Sequence, residues 1–145
     1  MTNKNLLAIT PHRKEPGRQR IAAYCRVSSR SDEQLNSLAN QIDFYRSRFE
    51  NDDTVVFVGI YAEEGLSGTQ AESRPQFMKM IEDCRSGHID CIWTKSVSRF
   101  GRNTVDTLIY TRELRSLGID VFFEKENINS LPPDSEFMIT MSGRW

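Results

Sequence analysis

Residues 54–61 read Thr-Val-Val-Phe-Val-Gly-Ile-Tyr, a β-branched and aromatic run almost free of polar side chains. Such a run suits a strand covered on both faces, as in a parallel sheet. Working outward, Ile21 to Val27 (IAAYCRV), Asp90 to Thr94 (DCIWT) and Ile119 to Phe123 (IDVFF) are three more strand-length apolar runs. Helical patterns separate them. Leu35, Leu38, Ile42, Tyr45 and Phe49 step by three or four through residues 31–49, which is one face of a helix. Pro75 suits a first helical turn with Ser73 as its cap, Phe77, Met80, Ile81 and Cys84 supply an apolar face, and Gly87 closes that helix. Thr104 to Leu117 predicts a further helix, with Val105, Leu108, Ile109 and Leu114 as its apolar positions and Gly118 at its end. Asp134 to Met141 predicts the first turns of a last one. Strand and helix alternating in this order predict an α/β fold, a mainly parallel sheet of about four to five strands with helices on both faces.

The chain has 145 residues, a length that suits one domain with a hydrophobic core of its own. No apolar run approaches the roughly 20 residues of a membrane span, and the N-terminus lacks the apolar stretch of a secretory signal. The expectation is a cytoplasmic protein with no membrane partner. Nineteen Lys and Arg face 20 Asp and Glu, for a net charge of −1. The distribution is uneven: Lys4, Arg13, Lys14, Arg18 and Arg20 stand against Glu15 alone in the first twenty residues, which leaves the rest acidic. A domain that held nucleic acid by bulk charge would be basic throughout. Contact with DNA would therefore run through a local constellation. Cys25, Cys84 and Cys91 form no C-x-x-C pair, and with His12 and His88 they lack metal-site spacing. They read as core thiols and solvated histidines, and no metal site is expected.

In such sheets ligands bind beyond the carboxyl ends of the strands. The loops to watch are then residues 26–34, 63–74 and 95–103. The first carries Arg26 and Ser28, whose equal parity places them on one side if the strand continues. A serine hydroxyl needs help to act as a nucleophile, and a guanidinium can both give that help and grip a phosphate. The plainer reading of Ser28 and Ser29 is a helix cap. The second loop adds Ser67, Gly68 and Arg74, and the third Ser98, Arg99, Gly101 and Arg102. Arg99 and Arg102, three apart at a helix start, share a face. Four arginines on one edge of an otherwise acidic body point to a site for a phosphoryl group. Neither a G-x-G-x-x-G nor a P-loop motif is present. No Ser/His/Asp triad can be built, because neither histidine falls in these loops. Glu63 and Glu64 suggest a magnesium nuclease pair, but adjacent residues on a strand point opposite ways, and the pair reads better as a loop feature.

These residues resemble a known family. Tyr24-Cys25-Arg26-Val27-Ser28-Ser29 resembles the nucleophile motif of the serine recombinases, the resolvase/invertase family. Ser37, Leu38 and Gln41 resemble the Ser-Leu-x-x-Gln element of its first helix, and Glu64-Gly65-Leu66-Ser67-Gly68 with Arg74-Pro75-Gln76-Phe77 its second active-site loop. Ser98-Arg99-Phe100-Gly101-Arg102 resembles its paired-arginine motif. The resemblance runs in order from about Ile21 to Ser142. It implies a site-specific DNA recombinase in which Ser28 attacks a phosphodiester to leave a 5′-phosphoseryl link and a free 3′-hydroxyl. Arg26, Arg74, Arg99 and Arg102 would offset the charge of the transition state, with Gln41, Ser67 and Ser98 contacting phosphate or supporting those that do. It implies no metal and no cofactor. The partners implied are double-stranded recombination sites and further copies of the full-length protein, as a dimer or tetramer.

The resolvase/invertase branch commonly has Asp where Ser98 stands, and Val97-Ser98-Arg99-Phe100 instead resembles the large serine recombinases of transposons and phages. Residues 1–19, basic and broken by Pro11 and Pro16, are expected to be a flexible basic arm. By the resemblance, 20–133 are expected to be the catalytic domain and 134–145 the start of a long interface helix cut short. Two other readings stand beside this one: a flavodoxin-like phosphatase or nucleotide-binding domain, and a catalytically inactive assembly domain on the same fold.

Overall fold

A computed structural model of the protein describes residues 17–27, 31–64 and 74–143. Its elements run in the order β1 (Gln19–Arg26), α1 (Asp32–Phe49), β2 (Val55–Glu63), α2 (Pro75–Arg85), β3 (Cys91–Thr94), α3 (Val97–Phe100), α4 (Thr104–Ser116), β4 (Asp120–Phe123), β5 (Ile128–Asn129) and α5 (Ser135–Ser142). One five-stranded sheet has the order β2-β1-β3-β4-β5. Its first four strands are parallel, and β5 returns antiparallel to β4. The fold is the expected α/β sheet.

The parity of β1 divides the core. Ile21, Ala23 and Cys25 pack under α1 against Leu38, Tyr45 and Phe49. Ala22 and Tyr24 face the other way, onto Phe77, Met80, Leu114 and Ile139 from α2, α4 and α5. Both faces of the strand are apolar because both are covered. Because β1 lies inside the sheet, with β2 on one side and β3 on the other, its carboxyl end opens into the middle of the sheet edge. That is where a doubly wound sheet binds its ligand.

Several element ends follow the expected chemistry. Ser31 caps α1 by accepting the Gln34 N–H at 3.2 Å, and Asn103 caps α4 by accepting that of Asp106 at 2.8 Å. Gly87 and Gly118 take positive φ after α2 and α4. There His88 N–H reaches Asp83 O and Ile119 N–H reaches Leu114 O, which closes each helix.

Four details differ from expectation. Ser73 lies outside the described residues, and the residue at the cap of α2 is Arg74, which makes no capping bond. A carboxylate from another element takes that role. Residues 97–100, expected as loop, form the single turn α3. On α4, Val105 and Ile109 are exposed (67% and 57%), while Asp106, Thr107, Thr111 and Leu114 are buried. The helix is turned by its polar contacts: Asp106 faces Arg74, and Thr107 lies against Gly101, so the Val105/Ile109 ridge points outward. His88 is half-buried rather than solvated. The three cysteines are buried and free. Among the described residues no helix is long and apolar enough to cross a membrane.

Candidate active site

Arg26 is the last residue of β1 and shares the face of Ala22 and Tyr24. Its side chain crosses to the turn after β3, where Nε donates to Arg99 O at 3.0 Å and Nη2 to Ser98 O at 2.7 Å. Burial lowers the pKa of this guanidinium, and the charges of Arg74 and Arg99 push the same way. A guanidinium nonetheless stays protonated at neutral pH. The result is concentrated positive charge at the carboxyl end of β1.

Arg74 enters from the start of α2 and is buried to 7% exposure. Its Nη1 donates to Phe100 O at 2.5 Å and its Nη2 to Asp106 at 2.7 Å. The guanidinium lies over the Phe77 ring, 3.9 Å from its centroid, a contact that suits a planar cation. Phe77 is in turn set edge-on against Tyr24, Phe100 and Tyr110. An aromatic stack thus fixes the plane of Arg74. Arg102 reaches the same carboxylate from α4's approach, through its backbone N–H at 2.9 Å and Nη2 at 3.3 Å. Its side chain is 39% exposed.

The structure therefore brings Arg26, Arg74, Arg99 and Arg102 around one turn, residues 98–102. Ser98 contributes its backbone carbonyl to Arg26, and its hydroxyl lies 3.3 Å from that of Ser96. Gln41 sits elsewhere. It lines a cleft of about 510 Å³ on the α1 side of the sheet, with Ser37, Tyr45, Lys95, Glu124 and Lys125. Its Oε1 is buried there without a hydrogen-bond partner. Ser28 and Ser67 lie outside the described residues.

Two carboxylates matter: Glu63, expected as a loop feature with Glu64 but placed on β2, and Asp106, to which no role was assigned from sequence. Glu63 ends β2, is buried, and accepts the Tyr24 hydroxyl at 3.2 Å and the N–H groups of Gln76 and Phe77 at 3.1 Å each. It occupies the positive end of α2, which replaces the expected serine cap and sets aside a nuclease role for the Glu63/Glu64 pair. Burial, then the Glu63 charge, raises the Tyr24 hydroxyl well above its ordinary pKa, so it stays a donor to that carboxylate. Asp106 is the other, buried to 7% exposure and shared by Arg74 and Arg102. Its sequence signal was its place three residues after the Asn103 cap and four after Arg102.

A family model described as "Resolvase, N terminal domain" matches residues 21–144. Among solved structures, a resolvase family site-specific recombinase from Streptococcus pneumoniae is 28% identical. That match covers 86% of this chain and 83% of that one, with a TM-score of 0.70. The N-terminal catalytic domain of TP901-1 integrase is 22% identical over 85% of this chain and 90% of that one, with a TM-score of 0.61. A serine recombinase from Sulfolobus solfataricus is 19% identical over 74% and 69%, with a TM-score of 0.53. The last two speak for the fold alone. No curated protein matches the chain. With an arginine cluster around the 98–102 turn and a family match over residues 21–144, the chain belongs to the resolvase N-terminal domain family, the catalytic domain of serine site-specific recombinases.

Proposed function

We propose that Ser28 is the nucleophile of this recombinase domain and that Arg26, Arg74, Arg99 and Arg102 hold the phosphate it attacks. One observation carries the reading: four cations from three chain segments converge at the end of β1, two residues before Ser28. Ser28 Oγ bonds to phosphorus, the P–O3′ bond breaks, and the departing 3′-oxygen takes up a proton. The five-coordinate transition state carries more negative charge on its oxygens than the diester does, and fixed guanidiniums stabilise that added charge most. Resealing is the reverse attack by a 3′-hydroxyl and needs no external energy source. Ser67 and Ser98 would contact the phosphate or steady the arginines, and Gln41 would act from the α1 side.

The substrate is a double-stranded recombination site, cut in an assembly of two or four copies, in the cytoplasm where that DNA resides. In this reading residues 1–19 serve as a basic arm, 20–133 as the catalytic body and 134–145 as the start of an interface helix. Support for the last comes from α5, whose Phe137, Met138 and Met141 are exposed by 69%, 52% and 66%. An apolar face of that kind calls for a covering partner. The test is strand cleavage of its own recombination site by the protein as encoded, with EDTA present. Ser28→Ala should abolish cleavage and Ser29→Ala should spare it. Cleavage by Ser28→Ala, or loss of cleavage in EDTA restored by magnesium, would overturn the assignment.

A further inference from the structure

We infer that Asp106 is a positioning residue for the cleavage step, one carboxylate that sets two of the phosphate-binding arginines at once. The inference rests on the reading that Arg74 and Arg102 meet the scissile phosphate. Asp106 lies on the first turn of α4 and is buried. One carboxylate oxygen, Oδ2, accepts Arg74 Nη2 at 2.7 Å and the Arg102 backbone N–H at 2.9 Å, and Oδ1 accepts Arg102 Nη2 at 3.3 Å. Its own N–H is held by Asn103 Oδ1, so the carboxylate hangs from a capped, fixed turn.

The chemistry asks for such a group. Two guanidiniums brought close repel each other, and a buried one needs a counter-charge. Asp106 supplies that charge from the α4 side, through the carboxylate it presents to both guanidiniums. It also joins two elements: Arg74 belongs to the start of α2, Arg102 to the turn before α4. A shift of α4 would therefore move both arginines together. Positional errors near 1 Å in such a clamp cost about a hundredfold in rate.

Asp106→Asn keeps the shape but removes the charge and turns an amide N–H toward a guanidinium. The test is single-turnover cleavage at saturating DNA by the protein as encoded, on its own recombination site nicked so that covalent product accumulates. The set comprises wild type, Asp106→Asn, Arg74→Ala, the double variant and Ser28→Ala, at a temperature below every melting point. Asp106→Asn should slow the rate constant about tenfold to a hundredfold, with the DNA-binding midpoint within about threefold of wild type, because Asp106 acts through the arginines and does not itself meet the DNA. Acting through Arg74 and Arg102 together, it should cost less in the Arg74→Ala background than in wild type, so that the double variant cuts faster than the two single losses multiplied. A purely structural role would lower the amplitude of the reaction rather than its rate constant. Where Asp106→Asn melts too low, the same cycle is run with Asp106→Glu, whose extra methylene displaces the carboxylate and with it both guanidiniums, and should slow cleavage likewise. A wild-type rate constant in the Asp106 variant, or rate losses that multiply in the double variant, would overturn the inference. Cleavage by Ser28→Ala would instead overturn the reading on which it rests.

Discussion

A Cβ on Gly101 would stand 1.9 Å from Thr107 Oγ1 and 3.0 Å from its Cα. The glycine is required by room, since its backbone is ordinary extended chain with φ −109°. Gly101→Ala must push α4 away from the turn that carries Arg99 and Arg102, and overpacking of this kind costs about 1–3 kcal/mol. Urea unfolding should show that loss, and Thr107→Ala in the same chain should recover only part of it, because the Cβ and Cα of residue 107 remain close. Full stability in Gly101→Ala would contradict the packing described. At this scale the convergence of the arginines was legible in sequence, because the loops after parallel strands meet at one sheet edge. Asp106 and Glu63 were not. Arg102, four residues from Asp106, is the one local hint; Arg74 lies 32 residues from Asp106 and Phe77 lies 14 from Glu63, and a carboxylate on a surface helix looks like a carboxylate in a buried clamp until the fold joins them.

Between elements, Glu63 ties the end of β2 to the helix start that carries Arg74. It stands at the end of β2 and binds the first turn of α2, while Tyr24 ties it to β1 beside Arg26. Glu63→Ala leaves a buried hydroxyl and two helix N–H groups without that acceptor. The expected loss is about 2–3 kcal/mol, measured by urea unfolding, with Glu63→Gln losing less because its amide oxygen still accepts. A neutral effect of Glu63→Ala would show that the α2 start is held by other means. Strand and helix positions were readable from composition and periodicity: β1, buried on both faces, carries an unbroken apolar run, and β2, half-buried at the sheet edge, a β-branched and aromatic one. The orientation of α4 was not. Val105 and Ile109 fit an apolar stripe by spacing, but the helix turns instead to bury Asp106 and Thr107, and a polar contact between distant segments leaves no period in the sequence. The two-residue β5 is likewise too short to carry one.

Over the whole molecule, alkaline pH should weaken the fold. Burial pushes the thiols of Cys25 and Cys84 up to about 12 and that of Cys91 higher still, against about 8.5 in an unfolded chain. Tyr24, Tyr45 and Tyr61 shift upward as well, through burial first and then their carboxylate neighbours. Above pH 8.5 the unfolded chain releases protons that the native state keeps, so the stabilisation present below that pH is lost as pH rises towards 12. Urea midpoints should fall steadily from pH 8 to pH 11, and the native thiols should resist a thiol reagent at pH 8. A flat or rising midpoint would contradict the burial of these groups.

The central claim, that Ser28 takes up the phosphate held by the arginine cluster, has a direct test in the covalent intermediate. Trypsin cuts after Arg26 and Arg30, so the peptide Val27–Arg30 carries both candidate serines. The protein as encoded is trapped on its nicked recombination site, the DNA is digested to its last nucleotide, and the peptide is fragmented in a mass spectrometer. The account predicts the 5′-phosphonucleotide on Ser28. Its appearance on Ser29 or outside this peptide, or strand cleavage with no covalent adduct, would contradict it.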